Sequence, residues 1–552
     1  MTPLHIGSVM SVSGFQVEVF LREDLQSMHV THEGVLYGVG QLASFVVIPT
    51  AYEKLVGMVS GVKMLEVLGA DEHVVVSDRK VLQLTLIGTI GRGAFQRGVK
   101  QFPLVGDPVC LADPTDFAAI FKGDSTAPRI ELGRYTDNED FAVTLDVNRF
   151  LARPSAIVGT TGAGKSYAVA SLLNRVLDVY PYASVILLDL HAEYAEAFGE
   201  KGHVLSVEDG SLEVPYWLFN YEELQDLCID RSEREAPNQA VMFKKQVLEA
   251  KRAAMGSGGP NVADTFSIDS PIYFDFDRVY SAIETLNTEM VQGKTSLKQG
   301  IFYGEFNRFL VRLGAKLSDV RYGFVFKPST YRSSASLIDL FQRLLGRTDP
   351  RRNVTIVDLS GVPSDVLQAV VSLLVRVLFD FTFWKPEREK TPTLLVCEEA
   401  HNYCSNARES PARHILERVA KEGRKYGLGL VMVSQRPSDV SETVLAQCNN
   451  FLVLRLSNPD DQSYIRSLVS DQYEDLMDVV PALRRGEALV VGDATLLPVR
   501  VLIHRIADDR RVPRGHDVDY HAAWTTDTAI DFARVIDRWR RQRRTGASNG
   551  EQ

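Results

Sequence analysis

A glycine-rich segment at residues 159–166 has the residue types and the spacing of a phosphate-binding loop. The residues that satisfy the pattern G-x-x-x-x-G-K-S/T are Gly159, Thr160, Thr161, Gly162, Ala163, Gly164, Lys165 and Ser166, and Tyr167 follows them. Such glycines let backbone N–H groups face a phosphate, and the N-terminus of the next helix adds its dipole. We predict that residues 159–167 bind ATP, with Lys165 reaching the β- and γ-phosphates and the Ser166 hydroxyl ligating Mg²⁺.

Two adjacent carboxylates, Glu398 and Glu399, follow an apolar run at residues 393–397. In phosphate-loop ATPases the first acid after such a strand orders the Mg²⁺-bound water, and the second polarises the attacking water. We therefore predict that Glu398 and Ser166 hold Mg²⁺ and that Glu399 is the general base. A solvated acidic strand end is the alternative.

A third acid, Asp189, ends the apolar run that begins at residue 183, and Glu193 lies four residues further on. The carboxyl ends of parallel strands are where α/β proteins bind ligands. We predict that Asp189 and Glu193 position water or metal, with a helix-capping acid cluster as the alternative. His191 between them is more typical of a hydrogen-bonded structural residue than of a proton carrier.

Two further positions are candidates for contact with the γ-phosphate. Gln435 follows the apolar run 429–434, where a neutral amide can sense the phosphate without adding charge. Arg424 lies between a predicted helix and that run, and its planar donor fork suits the γ-phosphate of a neighbouring subunit. A simple turn residue and a solvated basic turn are the respective alternatives.

The elements that would position these residues differ along the chain. Residues 1 to about 110 hold short apolar or alternating runs separated by glycines, which predicts a small β-barrel. From Phe141 onwards strands alternate with amphipathic helices, and continuous apolar runs are typical of a buried parallel sheet. A polar helical region at roughly 216–350 is interpreted as an insertion into this α/β fold.

The composition is that of a globular protein: 45% of the 552 residues are hydrophobic and 24% are charged. Five scattered cysteines without a C-x-x-C pair argue against a zinc site and a disulfide framework. Without a leader or a run of about 18 apolar residues, we expect a cytoplasmic protein and no membrane contact. The net charge of −10 does not exclude nucleic acid, because a ring can confine positive charge to its channel.

Taken together, these residues resemble the HerA family of the HerA/FtsK superfamily. The resemblance covers nearly the whole chain and rests on residues 145–166, 189–194, 398–403, 422–427 and 434–437. It implies a RecA-like motor core in a homo-hexameric ring that pumps duplex DNA through a central channel, with ATP bound between subunits. It also implies a partner, either a nuclease or, as in some bacterial members that defend against phage, a sirtuin-like effector.

The predicted fold class is α/β, with a RecA-like phosphate-loop core, a helical insertion and an N-terminal β-barrel. The predicted domains are residues 1–115 for the barrel, 116–215 with 351–510 for the ATPase core, 216–350 for the insertion and 511–552 for a C-terminal extension. Six arginines between residues 534 and 544 favour an amphipathic basic helix from Asp531 to Arg544, followed by a disordered end. Protein docking, DNA contact and weak membrane-surface contact are its possible roles.

The predicted function is an ATP-driven double-stranded DNA translocase or helicase that works with a nuclease or defence effector. One alternative is an ATP-binding ring scaffold that activates an effector without processive translocation. Another is a conjugation or secretion ATPase, which would usually carry or dock on membrane segments. A metabolic phosphate-loop kinase is disfavoured because no acceptor pocket is indicated. Stimulation of ATP hydrolysis by duplex DNA separates the translocase from the scaffold.

Overall fold

The computed structural model of the chain describes residues 4–25, 28–32, 35–68, 74–122, 127–230, 232–256, 265–292, 296–386, 391–508, 511–515, 520–525 and 529–541. The chain forms two compact units. The first consists of Met1–Pro181 and Leu430–Asp509, and the second of Tyr182–Gly429 and Arg510–Gln552.

The secondary structure of the described residues is mixed α/β. The strands are β1 (His5–Ser13), β2 (Gln16–Leu21), β3 (His29–His32), β4 (Val35–Gly38), β5 (Phe45–Pro49), β6 (Lys54–Leu68), β7 (Val74–Gly91), β8 (Ala94–Arg97), β9 (Pro108–Leu111), β10 (Arg129–Tyr135), β11 (Asn138–Asp146), β12 (Ser155–Val158), β13 (Val185–Asp189), β14 (Gly202–Ser206), β15 (Met290–Gln292), β16 (Leu297–Gln299), β17 (Val354–Asp358), β18 (Thr393–Cys397), β19 (Leu428–Ser434), β20 (Asn450–Leu454), β21 (Glu487–Gly492) and β22 (Val499–Ile503). The helices are α1 (Pro114–Lys122), α2 (Val147–Leu151), α3 (Lys165–Val179), α4 (Tyr221–Cys228), α5 (Ala236–Gly256), α6 (Phe276–Thr288), α7 (Asn307–Ser318), α8 (Gly323–Phe326), α9 (Leu337–Leu344), α10 (Ser364–Trp384), α11 (Pro411–Tyr426), α12 (Glu442–Ala446), α13 (Pro459–Leu468), α14 (Tyr520–Thr525) and α15 (Phe532–Arg541).

The N-terminal part of the first unit is a closed antiparallel β-barrel. Its strands follow the order β2-β1-β9-β5-β6-β7, and the pairing of β7 with β2 closes the barrel. Alternation along the strands turns every second side chain inward, so Val17 faces Leu84 and Val19 faces Leu82 in the buried core. The predicted N-terminal barrel is confirmed.

The α/β part of the first unit is built around β12. All four residues of β12 are buried, and the strand runs parallel to β19 on one side and β20 on the other. Antiparallel pairings then add β21, β22, β10 and β11 in turn. The chain leaves β12 at its carboxyl end and enters α3 after the glycine-rich segment.

The second unit has a parallel sheet of its own strands, in which β13 pairs with both β17 and β18 and β14 pairs with β17. All residues of β13 and β18 are buried, as their continuous apolar sequences predict. The helix α10 has the length and apolar composition that could cross a membrane, but 67% of this stretch is buried inside the protein. Such burial is typical of a core helix, and Phe379 of α10 packs edge-on against Tyr426 of α11 at 5.6 Å.

Helices α4 to α9 form the predicted polar helical region of the second unit. An aromatic cluster joins α5, α6, α7 and α8, with ring centroids of neighbouring pairs 5.1–6.4 Å apart; its members are Tyr216, Phe274, Phe276, Phe243, Phe309 and Phe326. Glu223 of α4 forms a buried ion pair with Arg376 of α10 at 2.8 Å. The fold class is confirmed, whereas the exact domain boundaries stay a prediction.

The basic C-terminal helix is present as α15. Its apolar side chains Phe532, Val535 and Trp539 are exposed within the chain. Residues 542–552, which include Arg543, Arg544 and the end predicted to be disordered, lie outside the described residues.

Candidate nucleotide-hydrolysis site

The phosphate-loop segment joins β12 to α3 in the first unit, as its pattern predicts. Gly164, the residue before the helix, has a φ of 104°, which lies in the left-handed region that favours glycine. Without a side chain at Gly164, the first N–H groups of α3 have no cap from that residue, and such N–H groups suit an anion. Lys165 is 7% exposed at the first helical position, and Ser166 beside it is half-buried.

The loop is hydrogen-bonded to the residue that follows β20 and to the residue that precedes β21. Thr160 donates its N–H and its hydroxyl to the carbonyl of Arg455, at 2.9 and 3.0 Å. The carbonyl of Ala163 accepts the N–H of Gly486 at 3.3 Å. A Cβ at Gly159 would lie 2.8 Å from the Cβ of Leu454, so this position requires glycine.

Gln435 is brought to the phosphate loop. It follows β19, whose last residue Ser434 accepts the N–H of Gly159 at 3.3 Å. The Thr161 hydroxyl donates a hydrogen bond to the amide oxygen of Gln435. The two predicted site positions therefore meet in the first unit.

Tyr167 is oriented by the chain that leaves β22. Its hydroxyl accepts the N–H of Ile506 at 2.5 Å. One turn further along α3, the Ser171 hydroxyl donates to the carbonyl of His504 at 2.9 Å. The segment at residues 504–506 thus lies along the first turns of the helix that follows the loop.

Glu398 and Glu399 follow β18 in the second unit, and both are buried, at 2% and 6% exposure. The N–H of Glu398 donates to Leu188 of β13 at 3.1 Å, and its carbonyl accepts the Tyr403 hydroxyl at 2.8 Å. Glu399 has a φ of 47°, a left-handed conformation that is uncommon outside glycine and clusters at functional sites.

Asp189 lies beside Glu398, because Leu188 and Cys397 are in register on adjacent parallel strands. The Asp189 carboxylate is fully buried and accepts the N–H groups of His191 and Tyr194, at 3.2 and 3.0 Å. Burial raises the pKa of Asp189, although these backbone hydrogen bonds oppose the shift. These hydrogen bonds join Asp189 to the turn that follows its strand, and a role for Asp189 or Glu193 toward water or metal stays a prediction.

Arg424 lies in the last turn of α11, which ends at Gly427. The carbonyl of Gly427 accepts the N–H of Thr393 at 2.9 Å, so the C-terminal end of α11 lies at the start of β18. Glu398 and Glu399 follow the other end of β18. The Arg424 side chain is exposed, and across the described residues no carboxylate lies within ion-pair distance of it. The structure does not bring Arg424 to the acids of its own unit.

Sequence reasoning gave no role to His401 and Asn402, which contact Glu399. Nδ1 of His401 lies 3.3 Å from Oε2 of Glu399, and the Asn402 amide donates to the Glu399 carbonyl at 3.1 Å. Both residues belong to the segment 398–403 on which the resemblance rests, so their position directly after the acids was the available signal.

Two known protein families match this chain, and the matched ranges include every predicted site residue. Residues 130–378 match the family described as helicase HerA, central domain, and residues 364–504 match the one described as helicase HerA-like C-terminal. The chain belongs to the HerA family. The resemblance and the predicted ATPase activity are confirmed, and the protein is a phosphate-loop ATPase of a DNA helicase family.

Relatives of this HerA-family chain include archaeal helicases. It is 26% identical over 450 residues to the DNA double-strand break repair helicase HerA of Pyrococcus furiosus, which covers 75% of each chain. It is 27% identical over 415 residues to the protein of the same description from Sulfurisphaera tokodaii, which covers 73% and 74% of the two chains. Among solved structures, VirB4 of Thermoanaerobacter pseudethanolicus matches 70% of this chain and 98% of its own with 18% identity and a TM-score of 0.49.

Proposed function

We propose that this HerA-family ATPase is a double-stranded DNA translocase that works as a homo-hexameric ring. The observation that carries the proposal is the position of Arg424, which is exposed, lacks an acidic partner among the described residues and lies at the opposite end of β18 from Glu398 and Glu399. A cation with this placement suits a phosphate bound by a neighbouring copy. A ring of like subunits supplies one such cation to each nucleotide.

The nucleotide would be held by the phosphate loop. Backbone N–H groups of residues 159–166 and the Lys165 ammonium would bind the phosphates, and Gln435 would donate to the γ-phosphate. The Ser166 hydroxyl and the Glu398 carboxylate are hard oxygen donors of the kind that hold Mg²⁺, which completes its shell with phosphate and water. When bound, Mg²⁺ would neutralise charge that develops on the phosphate oxygens.

Glu399 would activate the attacking water. Its carboxylate is buried and follows a strand end directly, the placement expected of the second acid in such ATPases. A general base of this type contributes roughly 10²–10⁴-fold to the rate.

Duplex DNA is the proposed substrate, and the support is the chain's family, whose curated relatives are described as DNA double-strand break repair helicases. The net charge of −10 does not exclude this substrate, because a ring can confine positive charge to its channel. A nuclease or a sirtuin-like effector is the proposed partner, supported by the sequence resemblance.

The test measures ATP hydrolysis by the full-length protein with and without duplex DNA, and the mass of the assembly by native mass spectrometry. We expect a hexamer whose hydrolysis rate rises several-fold with duplex DNA and falls again with salt, because phosphate contacts release counterions. A hexamer whose rate of ATP hydrolysis is the same with and without duplex DNA at every salt concentration would support the scaffold alternative. A stable monomer that hydrolyses ATP at the full rate would contradict the role of Arg424.

A further inference from the structure

We propose that Arg485 binds the α-phosphate of the nucleotide held by the phosphate loop of its own subunit. The proposal rests on the proposed binding of ATP by residues 159–166. It adds to Lys165 a second cation of the same chain, at the end of the triphosphate that lies away from Gln435.

The turn that precedes β21 is attached directly to the phosphate loop. The N–H of Gly486 donates to the carbonyl of Ala163 at 3.3 Å, and a Cβ at Gly164 would lie 3.6 Å from the Gly486 nitrogen. Gly486 has a φ of 81°, in the left-handed region that favours glycine, and its carbonyl accepts the N–H of Ile503 at 2.9 Å. The backbone of Arg485 is therefore held one residue away from a direct contact with the loop.

Arg484 and Arg485 are adjacent in this turn but differ in their partners. Nη2 of Arg484 lies 3.0 Å from Oε1 of Glu487, a buried carboxylate that Nη2 of Arg500 also approaches at 3.4 Å. Arg485 is exposed, and across the described residues no carboxylate lies within ion-pair distance of it. The charge of Arg484 is thus paired within the turn, whereas that of Arg485 is available for an anion. The planar guanidinium can donate two parallel hydrogen bonds to the oxygens of one phosphate.

The order of the strands places Arg485 toward the α-phosphate and not toward the γ-phosphate. The strand that leads into the loop, β12, lies between β19 and β20. Gln435, the proposed contact of the γ-phosphate, follows β19, whereas β21 pairs with β20 on the other side of β12. Because β21 is antiparallel to β20, its first residues lie at the carboxyl ends of β12 and β20, the edge from which the loop begins. A nucleotide with its γ-phosphate on the β19 side extends its α-phosphate toward β20 and β21.

The loop residues next to the turn suit the same assignment. Backbone N–H groups of a phosphate loop surround the α- and β-phosphates, and its lysine reaches the β- and γ-phosphates. Ala163 and Gly164, the two residues before Lys165, are the part of the loop that lies against Gly486. An arginine side chain that begins at the residue before Gly486 is long enough to reach a phosphate bound there. Lys165 and Arg485 would then share the charge of the triphosphate between its two ends.

The test compares full-length Arg485→Ala and Arg485→Lys with the wild type for binding of three probes, measured by calorimetric titration in the presence of Mg²⁺. The probes are a slowly hydrolysed ATP analogue, ADP, which lacks the γ-phosphate, and inorganic triphosphate, which lacks the ribose and the base. Together they separate contact with the α-phosphate from contact with the γ-phosphate or with the nucleoside. Arg92→Ala is the matched control, because it removes one exposed arginine from the turn between β7 and β8 of the barrel.

We expect Arg485→Ala to weaken binding of all three probes by about tenfold, the lower end of the range for hydrogen bonds to charged groups, because the side chain is exposed. The KM for ATP should rise by a similar factor with kcat within about twofold of wild type, since this contact is the same before and during the reaction. Arg485→Lys should recover at least half of the lost binding free energy. The loss in Arg485→Ala should shrink at high salt, which screens an exposed charge. Arg92→Ala should bind every probe like the wild type.

Wild-type affinity of Arg485→Ala for all three probes would overturn the proposal. Weaker binding of the ATP analogue alone would place Arg485 at the γ-phosphate, and weaker binding of both nucleotides but not of inorganic triphosphate would place it on the ribose or base. Either result overturns the assignment to the α-phosphate, as does an equal loss in Arg92→Ala.

Lys165→Ala separates this proposal from the one on which it rests. If Lys165→Ala loses nucleotide affinity while Arg485→Ala keeps it, only the role of Arg485 fails. If Lys165→Ala binds all three probes like the wild type, the phosphate-loop assignment itself fails, and the role of Arg485 fails with it. A lowered thermal midpoint in both Arg485 variants, with equal loss of affinity in Arg485→Lys and Arg485→Ala, would show a structural residue and overturn the proposal.

Discussion

The hydroxyl of Thr161 in the phosphate loop donates a hydrogen bond to the side-chain amide oxygen of Gln435, which follows β19. Because the oxygen of the amide is engaged, its NH₂ group is the end that can donate to a phosphate oxygen. If Gln435 contacts the γ-phosphate, as we propose, this contact orients its NH₂ group as the donor.

Thr161→Val tests this orientation, since valine keeps the shape of threonine and removes the hydroxyl. We expect kcat to fall between about two- and tenfold, the range of one net hydrogen bond of roughly 0.5–1.5 kcal/mol, with little change in KM. Thr161→Ser is the control and should retain the wild-type kcat in steady-state ATPase assays. An unchanged kcat in Thr161→Val would show that Gln435 is oriented by other contacts or has no role.

Lys165→Ala should abolish ATP turnover and leave the fold intact. The side chain is 7% exposed at the start of α3, directly after the glycines of the loop, and we propose that its ammonium binds the β- and γ-phosphates. Turnover is measured by phosphate release and the fold by circular dichroism, with the exposed Lys327→Ala as control. Near wild-type turnover in Lys165→Ala would refute the phosphate-loop assignment.

Glu399→Gln should bind ATP with wild-type affinity and hydrolyse it on the order of 10²-fold more slowly, because the amide cannot accept a proton from water. Binding is followed with a fluorescent nucleotide and hydrolysis in single turnovers. If affinity fell as much as the rate, Glu399 would be a structural acid instead.

Arg424→Ala should be inactive by itself but should complement Lys165→Ala in mixed assemblies. In a mixed ring some interfaces pair an intact phosphate loop with an intact Arg424, so partial ATPase activity returns. Lys425→Ala removes the neighbouring exposed cation of the same helix end and should remain active. Native mass spectrometry must show mixed rings, and mixed rings without recovered hydrolysis would count against action between subunits.

Lys251 gives the second unit a pH-dependent contribution to stability. It is buried, donates to the carbonyls of Ile268 and Ser270 at 2.6 and 2.7 Å, and has a pKa lowered to about 8 by desolvation. The unfolded chain, with a pKa near 10.5, holds this proton over the range in which the folded chain has lost it. Folding stability therefore rises with pH between about 8 and 10.5.

Comparison of wild type with Lys251→Met isolates this contribution. The difference in thermal midpoint should shift in favour of wild type as the pH rises from about 7.5 to 9.5. A difference that stays constant over this range would show that Lys251 titrates alike in the folded and unfolded chain.

Local patterns predicted much of the fold. The phosphate loop and α3 lie where the glycine spacing and the helical periodicity place them, because both depend on contiguous residues. The continuous apolar runs of β13 and β18 likewise predicted strands buried on both faces. In each case the side chains that determine the structure are neighbours in sequence.

Contacts between distant residues were not predictable in the same way. Thr161 and Gln435 are separated by 274 positions in the sequence. Thr160 is held by the backbone carbonyl of Arg455, and no sequence pattern indicates which backbone carbonyl accepts such a hydrogen bond. Asp189 illustrates a second limit, since its position at a strand end does not reveal that its oxygens accept the backbone N–H groups of His191 and Tyr194. The hydrogen-bond partners of such a side chain can be identified only from the three-dimensional structure.

Displacement of a third strand from duplex DNA shows whether the protein moves along the duplex. A triplex-forming oligonucleotide on a linear duplex is released when a motor moves along the duplex, without any need for strand separation. We expect release by the wild-type protein with ATP, and none with Lys165→Ala or Glu399→Gln. Active ATP hydrolysis in the presence of this DNA without any displacement of the third strand would contradict translocation.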